Sequence, residues 1–312
     1  MPELPRAVCI AGATGTGKSA AALHLASELG GEVINVDSRQ VYADFPIITA
    51  QPGPKEQLLC PHHLYGFLDT TERINAGQWV RRTAAEIAAC VARGNLPLLV
   101  GGTGLYIRAI TRGMADIPPV EPAVAQRLAE EYARQGPQFL HARLAKADPS
   151  YAARTHSNNR HRILRALGVW EGTGRTFSWW HEHGRAHPAC RALLLVVRAE
   201  LEELVPRLDR RINAMLEAGA LEEARRAFTK CAAPKAPGWS GIGCAELYRH
   251  LCGEWGFEQA RTIWLNNTRA YAKRQLTWFR GQEDAAWMAP DDLAGMVAAA
   301  RAFLKGESAE EK

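Results

Sequence analysis

The 312-residue sequence contains no run approaching the ~18–20 consecutive apolar residues that a membrane span needs, which excludes a transmembrane protein of the helical kind. It also lacks a charged start followed by a long apolar stretch and a cleavage site, so no secretory leader is expected. Its seven cysteines (Cys9, Cys60, Cys90, Cys190, Cys231, Cys244 and Cys252) are scattered, odd in number and without any C-x-x-C. A disulfide framework is therefore not expected, and a reducing cytoplasmic setting is. Internal repeats and low-complexity tracts are absent as well. What remains is 47% apolar and 23% charged, the balance of a globular chain long enough for one large domain or two smaller ones. The net charge of +5 permits a nucleic-acid partner without demanding one, so the distribution of charge has to decide.

Near the start stands Gly12-Ala13-Thr14-Gly15-Thr16-Gly17-Lys18-Ser19, which fits G-x-x-x-x-G-K-[ST] at every fixed position. It follows the apolar run 7–11 and precedes helical spacing over 18–29. Such a loop surrounds phosphate oxygens with backbone N–H groups. Lys18 adds a point charge and the Ser19 hydroxyl a ligand for Mg²⁺. Further strands are expected at 32–36 and 96–100, with an amphipathic helix over 76–93 between them. Short apolar strands alternating with helices predict an α/β fold, a P-loop NTPase-like parallel sheet flanked by helices, with its ligand crevice at the strands' carboxyl ends. From Pro118-Pro119 the chain turns helical and polar over 121–144 and 160–171, then runs through a Gly-, His- and Trp-rich loop over 172–188. "LLLVV" at 193–197 reads as a buried strand again. The expected organisation is a core domain of residues 1–116 and 191–312, its carboxyl-terminal helices binding RNA, and a helical insertion over 117–190. Residues from 201 read as helical, interrupted by a loop over 232–243 and closed by a charged, Ala-rich tail.

Motor and signalling NTPases place a Mg²⁺-holding acid at the end of an apolar strand. Here "LPLLV" runs into Gly101-Gly102-Thr103 instead, and the acid stands at the end of the second strand, as Asp37. There it can accept a hydrogen bond, or a proton, from a substrate facing the phosphates; its bland alternative is a turn or N-cap aspartate. Between 151 and 198 lie Arg154, Arg160, Arg162, Arg165, Arg175, Arg185, Arg191 and Arg198 against only Glu171 and Glu182. Between 261 and 280 lie Arg261, Arg269, Lys273, Arg274 and Arg280 with no acid, interleaved with Trp264, Tyr271, Trp278 and Phe279. Arginine with aromatics suits a phosphate backbone and unstacked bases, and two such runs favour RNA. Arg207 and Arg211 share a helix face and could cage an anion, or simply pair with Glu203 and Asp209. His181, His183, His187 and Cys190 are competent zinc ligands, but no acids support them and the spacing fits no familiar module. His62-His63 reads as a structural turn.

Together these blocks resemble the tRNA isopentenyltransferase (tRNA dimethylallyltransferase) family from Val8 to about Arg280. The blocks are "GATGTGKS", "VDSRQVYADFPIITAQP", "PHHL", "LPLLVGGTGLYIRAI", "HRILRALGVWEGTG", "RLDRRINAMLEAGALEEA", "GIGCAEL" and "TRAYAKRQLTWFR". The resemblance implies transfer of a dimethylallyl group from dimethylallyl diphosphate to N6 of the adenosine 3′ of the anticodon (position 37) of tRNA, by a monomer using Mg²⁺ on Ser19. It implies Asp37 as the proton acceptor, Thr103 at the channel wall and Arg211, with Arg207 beside it, on the departing diphosphate. It implies tRNA contacts from Asp37, Ser38, Arg39 and Gln40, and from His161, Arg162, Ile163, Leu164 and Arg165. Others are implied from Ser240, Gly241, Ile242, Gly243, Cys244 and Ala245, and from Lys273, Arg274, Gln275, Leu276, Thr277, Trp278, Phe279 and Arg280. Three positions depart from the family pattern: Gln51 stands for a usual Lys, Tyr65-Gly66 for Ile-Asp, and Cys244 for an aromatic. Gln51 and Cys244 are expected to bear on substrate affinity. The zinc finger of eukaryotic relatives is absent, as in bacterial-type enzymes. The competing readings are a small-molecule kinase, a prenyltransferase acting on free adenine nucleotides, and an RNA-binding protein that senses phosphate.

Overall fold

The computed structural model describes residues 3–184 and 186–306. Arg185, counted above in the first basic run, and the end of the charged tail lie outside the described residues. The chain divides into two compact units, Met1–Thr111 with Ala189–Lys312, and Arg112–Pro188.

The first unit opens with β1 (Arg6–Ala11), α1 (Lys18–Leu29), β2 (Gly31–Asn35), α2 (Pro54–Gln57), β3 (His62–His63), α3 (Ala76–Ala92), β4 (Leu96–Gly101) and α4 (Gly104–Arg112). The second unit is helical: α5 (Pro122–Gln135), α6 (Pro137–Ala147), α7 (Pro149–Ala153), α8 (Arg160–Thr173) and α9 (Phe177–His183). The chain then returns with β5 (Arg191–Val197), α10 (Leu201–Glu217), α11 (Ala220–Lys230), α12 (Cys244–Leu251), α13 (Phe257–Arg280), β6 (Ala285–Met288) and α14 (Leu293–Lys305).

Six strands form one parallel sheet in the order β3-β2-β4-β1-β5-β6. β1 is central: Cys9 pairs with Leu99 on one side and Leu194 on the other. A strand covered on both faces must be apolar at every position, and Ala7 to Ala11 are all fully buried. Alternation divides them. Val8 and Ile10 pack with Leu98, Leu25 of α1 and Met296 of α14, while Ala7 and Cys9 pack with Leu99, Trp79 of α3, Ile107 of α4 and Phe279 of α13. Trp79 stacks on Tyr106 at 4.1 Å. No helix of the described residues is long and apolar enough to cross a membrane.

In the second unit Leu128, Leu140, Leu144, Ile163 and Leu167 form a separate small core. Its expected first helix is broken in two at Gly136 (φ 84°), with Pro137 opening α6 where its missing N–H costs nothing. Helix α9 lies inside the stretch expected as a loop, started by Thr176 capping the N–H of Trp179. His62-His63 is a short edge strand rather than a turn, and His63 bridges Glu32 (2.6 Å) and Glu86 (3.3 Å).

Candidate active site

The carboxyl ends of β1, β2 and β4 share one sheet edge, and each delivers part of the site. β1 runs into the Gly-rich loop. Gly17, left-handed at φ 95°, caps α1 without any side-chain hydrogen bond, so the helix's first N–H groups are left for a ligand. The loop is two-sided. Gly12, Ala13 and Thr16 are buried, while Gly17 and Ser19 are exposed. Inside the loop, Ala13 O accepts from Thr16 N–H (3.4 Å), Thr16 Oγ1 (3.0 Å) and Lys18 Nζ (2.6 Å). Burial, reinforced by the Arg211 charge and opposed by Asp37, lowers the Lys18 pKa to about 8.

Asp37 follows β2 directly. The Asn35 side chain fixes it, accepting from its N–H (2.8 Å) and donating to its carbonyl (3.1 Å) and to that of Leu64 (3.0 Å). Asp37 Oδ1 accepts from Arg39 N–H at 2.7 Å, making a turn that holds the carboxylate at the edge. Asp37 therefore caps no helix. Thr103, in the turn after β4, donates its N–H to Val36 O (3.2 Å) and accepts from Ser38 N–H at its hydroxyl (3.1 Å). Tyr271 of α13 is hydrogen-bonded to the same side chain; burial first, then the Asp37 charge, pushes its phenol up to about 12. One face of α13 runs along this turn. Gln275 Nε2 donates to Gly102 O (2.9 Å) and a Cβ on Gly102 would stand 2.1 Å from that nitrogen, while one on Gly104 would stand 2.4 Å from Trp278. The glycines of G-G-T-G are required by this close approach rather than by backbone angles.

Arg207 and Arg211 lie on α10 and both reach solvent. Glu203 and Asp209 do not claim them: Asp209 accepts instead from Arg261 at 2.7 Å. The Arg211 guanidinium is shifted downward by burial, with Asp37 and then Glu56 opposing. Lys18, Arg211, Asp37 and Glu56 thus share one electrostatic neighbourhood. Beside it Ser19, Gln40, Glu56, His62 and Tyr65 line a cavity of about 30 Å³. The Tyr65 phenol is pushed up by burial and then by Asp37. Gln51 turns away from this site: its Nε2 donates to Tyr42 O (2.8 Å) and its Oε1 lies where a Cβ on Gly66 would be 3.0 Å away. It braces its own loop, against the expectation that it bears on substrate affinity directly.

The basic segments are placed as follows. In the first unit Arg39 Nη1 donates to Ser240 Oγ at 2.6 Å, joining two of them. Ser38, Arg39 and Gln40 are half-buried and Ser240 is exposed. Gly241, Gly243 and Cys244 are buried, with Ile242 and Ala245 between. Cys244 lies in the core beside Leu247 and Trp264, its thiol pushed well up by burial, so it offers no side chain at the surface. On α13, Lys273, Arg274, Thr277 and Arg280 are exposed and Trp278 half-buried, whereas Gln275, Leu276 and Phe279 are buried. In the second unit His161 and Arg162 are exposed, Leu164 and Arg165 half-buried and Ile163 buried. Arg165 donates to Pro118 O at 3.4 Å. The four residues weighed for zinc serve elsewhere: His181 and His183 pack on Phe177 and Trp179, and Cys190 sits in the first unit's core.

Sequence reasoning did not single out Glu56, Tyr271 or Glu223, and placed Gln275 only on the RNA side. Glu223, 2% exposed, accepts from Ile47 N–H (2.8 Å) and Ile48 N–H (2.9 Å) and so anchors the loop beyond Asp37. The usable signal was spacing: Tyr271 and Gln275 are one helical turn apart, on one face.

A parallel sheet with a glycine-rich phosphate loop, no acid after β4 and a carboxylate after β2 defines a P-loop group transferase rather than a motor or signalling NTPase. Residues 40–282 match the family described as IPP transferase, and the chain belongs to that family. The match begins beyond the phosphate loop and Asp37. A tRNA dimethylallyltransferase of Nitratidesulfovibrio vulgaris (strain DSM 19637 / Miyazaki F) is 56% identical over 320 aligned residues, covering 98% of this chain and 95% of that one. The crystal structure of a full-length tRNA isopentenylpyrophosphate transferase from Bacillus halodurans is similar with TM-score 0.69 and 32% identity, covering 97% and 96% of the two chains. A eukaryotic dimethylallyltransferase described as acting on tRNA superposes with TM-score 0.85 at 28% identity, covering 99% of this chain and 81% of that one.

Proposed function

We propose that this chain is an enzyme transferring a dimethylallyl group from dimethylallyl diphosphate to N6 of the adenosine immediately 3′ of the anticodon (position 37) in tRNA. Family membership supports the reaction class. The single observation that carries the roles is the convergence of Asp37, Thr103, Lys18 and Arg211 at one sheet edge.

The N6 lone pair attacks C1 of the dimethylallyl group, the C1–O bond breaks, and its electron pair leaves with diphosphate. The N6 proton goes to the Asp37 carboxylate, which Asn35 and the Arg39 N–H hold in place. Thr103, fixed by Ser38 N–H and Tyr271, orients the acceptor amine from the neighbouring turn. The α1 N–H groups, Lys18 and Arg211 stabilise the growing negative charge on the leaving group, and Arg207 on the same helix face extends that cage. Mg²⁺ fits here in one way: Ser19 offers a single exposed neutral oxygen beside two cationic side chains. That donor set suits an ion whose remaining ligands are diphosphate oxygens and water. When bound, Mg²⁺ supplies further charge neutralisation to the leaving group. The adenosine must leave its stack, at a cost of roughly a few kcal/mol. The exposed cations of α13, Arg39, His161 and Arg162 are assigned to gripping the anticodon stem-loop.

The test is incubation of the purified protein with unmodified anticodon stem-loop RNA, Mg²⁺ and dimethylallyl diphosphate, with AMP and ATP alongside as acceptors. The expected result is a mass gain of one C₅H₈ unit on the RNA only. A gain on the free nucleotides alone moves the acceptor, and phosphate release from ATP without prenyl transfer overturns the reading.

A further inference from the structure

Two of the loop's amide donors are already committed inside the protein. Thr16 N–H is turned to Ala13 O at 3.4 Å, and Thr14 N–H donates to Gln275 Oε1 at 3.0 Å. Gln275 is 5% exposed, and its amide is used at both ends, since Nε2 donates to Gly102 O at 2.9 Å. Turning that amide over would set donor against donor and acceptor against acceptor, so its orientation is fixed. The same end of the loop is roofed by apolar side chains. A Cβ on Gly15 would meet Leu208 at 2.9 Å, and Ala13 packs with Leu204, Leu208, Ala272 and Leu276. At the other end Gly17 and Ser19 are exposed and the helix start carries no cap.

We propose that Gln275 is a specificity-determining residue that closes the Thr14 end of the phosphate loop, so that the site seats two phosphates and gives a third no purchase. An anion held at the Gly17–Ser19 end can grow toward Thr14 only by displacing a neutral amide oxygen from that N–H and stranding Gly102 O. It would also have to enter a wall of Leu204, Leu208 and Leu276, where a charged oxygen loses its hydration without replacement. The family's use of a P-loop for a diphosphate thereby acquires a local cause in this chain. The inference rests on the diphosphate reading given above.

The experiment is isothermal titration of the full chain, in Mg²⁺ buffer, with inorganic diphosphate and inorganic triphosphate. The readout is the ratio of their dissociation constants, Kd(diphosphate)/Kd(triphosphate), which a merely structural role would leave unmoved. In the wild type the extra phosphate is expected to gain nothing, a ratio of about 1 or below. Gln275→Ala frees Thr14 N–H and is expected to raise the ratio about tenfold, the effect of one charge-assisted hydrogen bond. Gln275→Glu keeps the shape and an acceptor but adds negative charge, and is expected to lower the ratio; it decides the matter should the alanine variant not fold. A wild type that already binds triphosphate tenfold more tightly overturns the inference. So does a ratio that stays constant in either variant while both constants change together. A wild type that binds neither anion overturns the diphosphate reading itself, and the inference with it.

Discussion

Lys18 is where burial and function pull against each other. Its folded-state pKa of about 8 lies below its unfolded value of 10.5, because burial and Arg211 disfavour the ammonium. Between those two values the unfolded chain binds more protons than the folded one, so this group's contribution to stability rises with pH across that window. Below pH 8 the cost of the charged form is fully present, and a bound polyanion relieves it. Affinity for diphosphate is therefore expected to fall as pH rises through about 8. In Lys18→Arg, whose guanidinium stays charged, the fall should flatten; titration from pH 7 to 9.5 checks both. Asp37 is tested separately. Asp37→Asn keeps the size and one oxygen for Arg39 N–H but cannot take the N6 proton, and turnover is expected to drop by about 10²–10⁴. Stem-loop binding should stay within a few fold, and unchanged turnover would remove Asp37 from the chemistry.

Helix α13 shows how one element serves two surfaces, and why only one of them was readable beforehand. Its exposed side, Lys273, Arg274, Thr277 and Arg280, is visible in sequence because unpaired cations are a compositional signal. Its inward side, Tyr271, Gln275 and Trp278, meets the turn 102–104, a contact between segments some 170 positions apart that no local pattern encodes. The phosphate loop, β1, α1 and β4 were legible because a buried parallel strand must be apolar throughout and the loop must be glycine-rich. The edge strands β3 and β6, two and four residues long, were not, since their pairing comes from neighbours rather than from their own alternation. Gly102→Ala probes the inward contact: its Cβ would fall 2.1 Å from Gln275 Nε2, so α13 must shift or the amide must leave. Overpacking of this kind is expected to cost about 1–3 kcal/mol in a urea unfolding midpoint. An unshifted midpoint would mean the helix yields freely there.

Assigned cations sit in both units, Lys273, Arg274, Arg280 and Arg39 in the first, His161 and Arg162 in the second, and this has a consequence for binding by the whole chain. Neutralising phosphates releases counterions, so the observed affinity falls with salt at roughly 0.7–0.9 per phosphate contact on a log–log plot. If one stem-loop engages both units together, each unit's contacts hold the RNA at high effective concentration for the other. Arg162→Ala in the second unit and Lys273→Ala in the first are then each expected to lower the salt slope by nearly one. The pair should lower it by the sum, because residues on separate units share no partner through which to couple. The measurement is stem-loop binding at several salt concentrations for the wild type, both single variants and the double variant. Should Arg162→Ala leave the slope unchanged while Lys273→Ala alone reduces it, the RNA seat lies on the first unit only. The basic run of the second unit would then be a solvated surface, the bland reading that its composition always allowed.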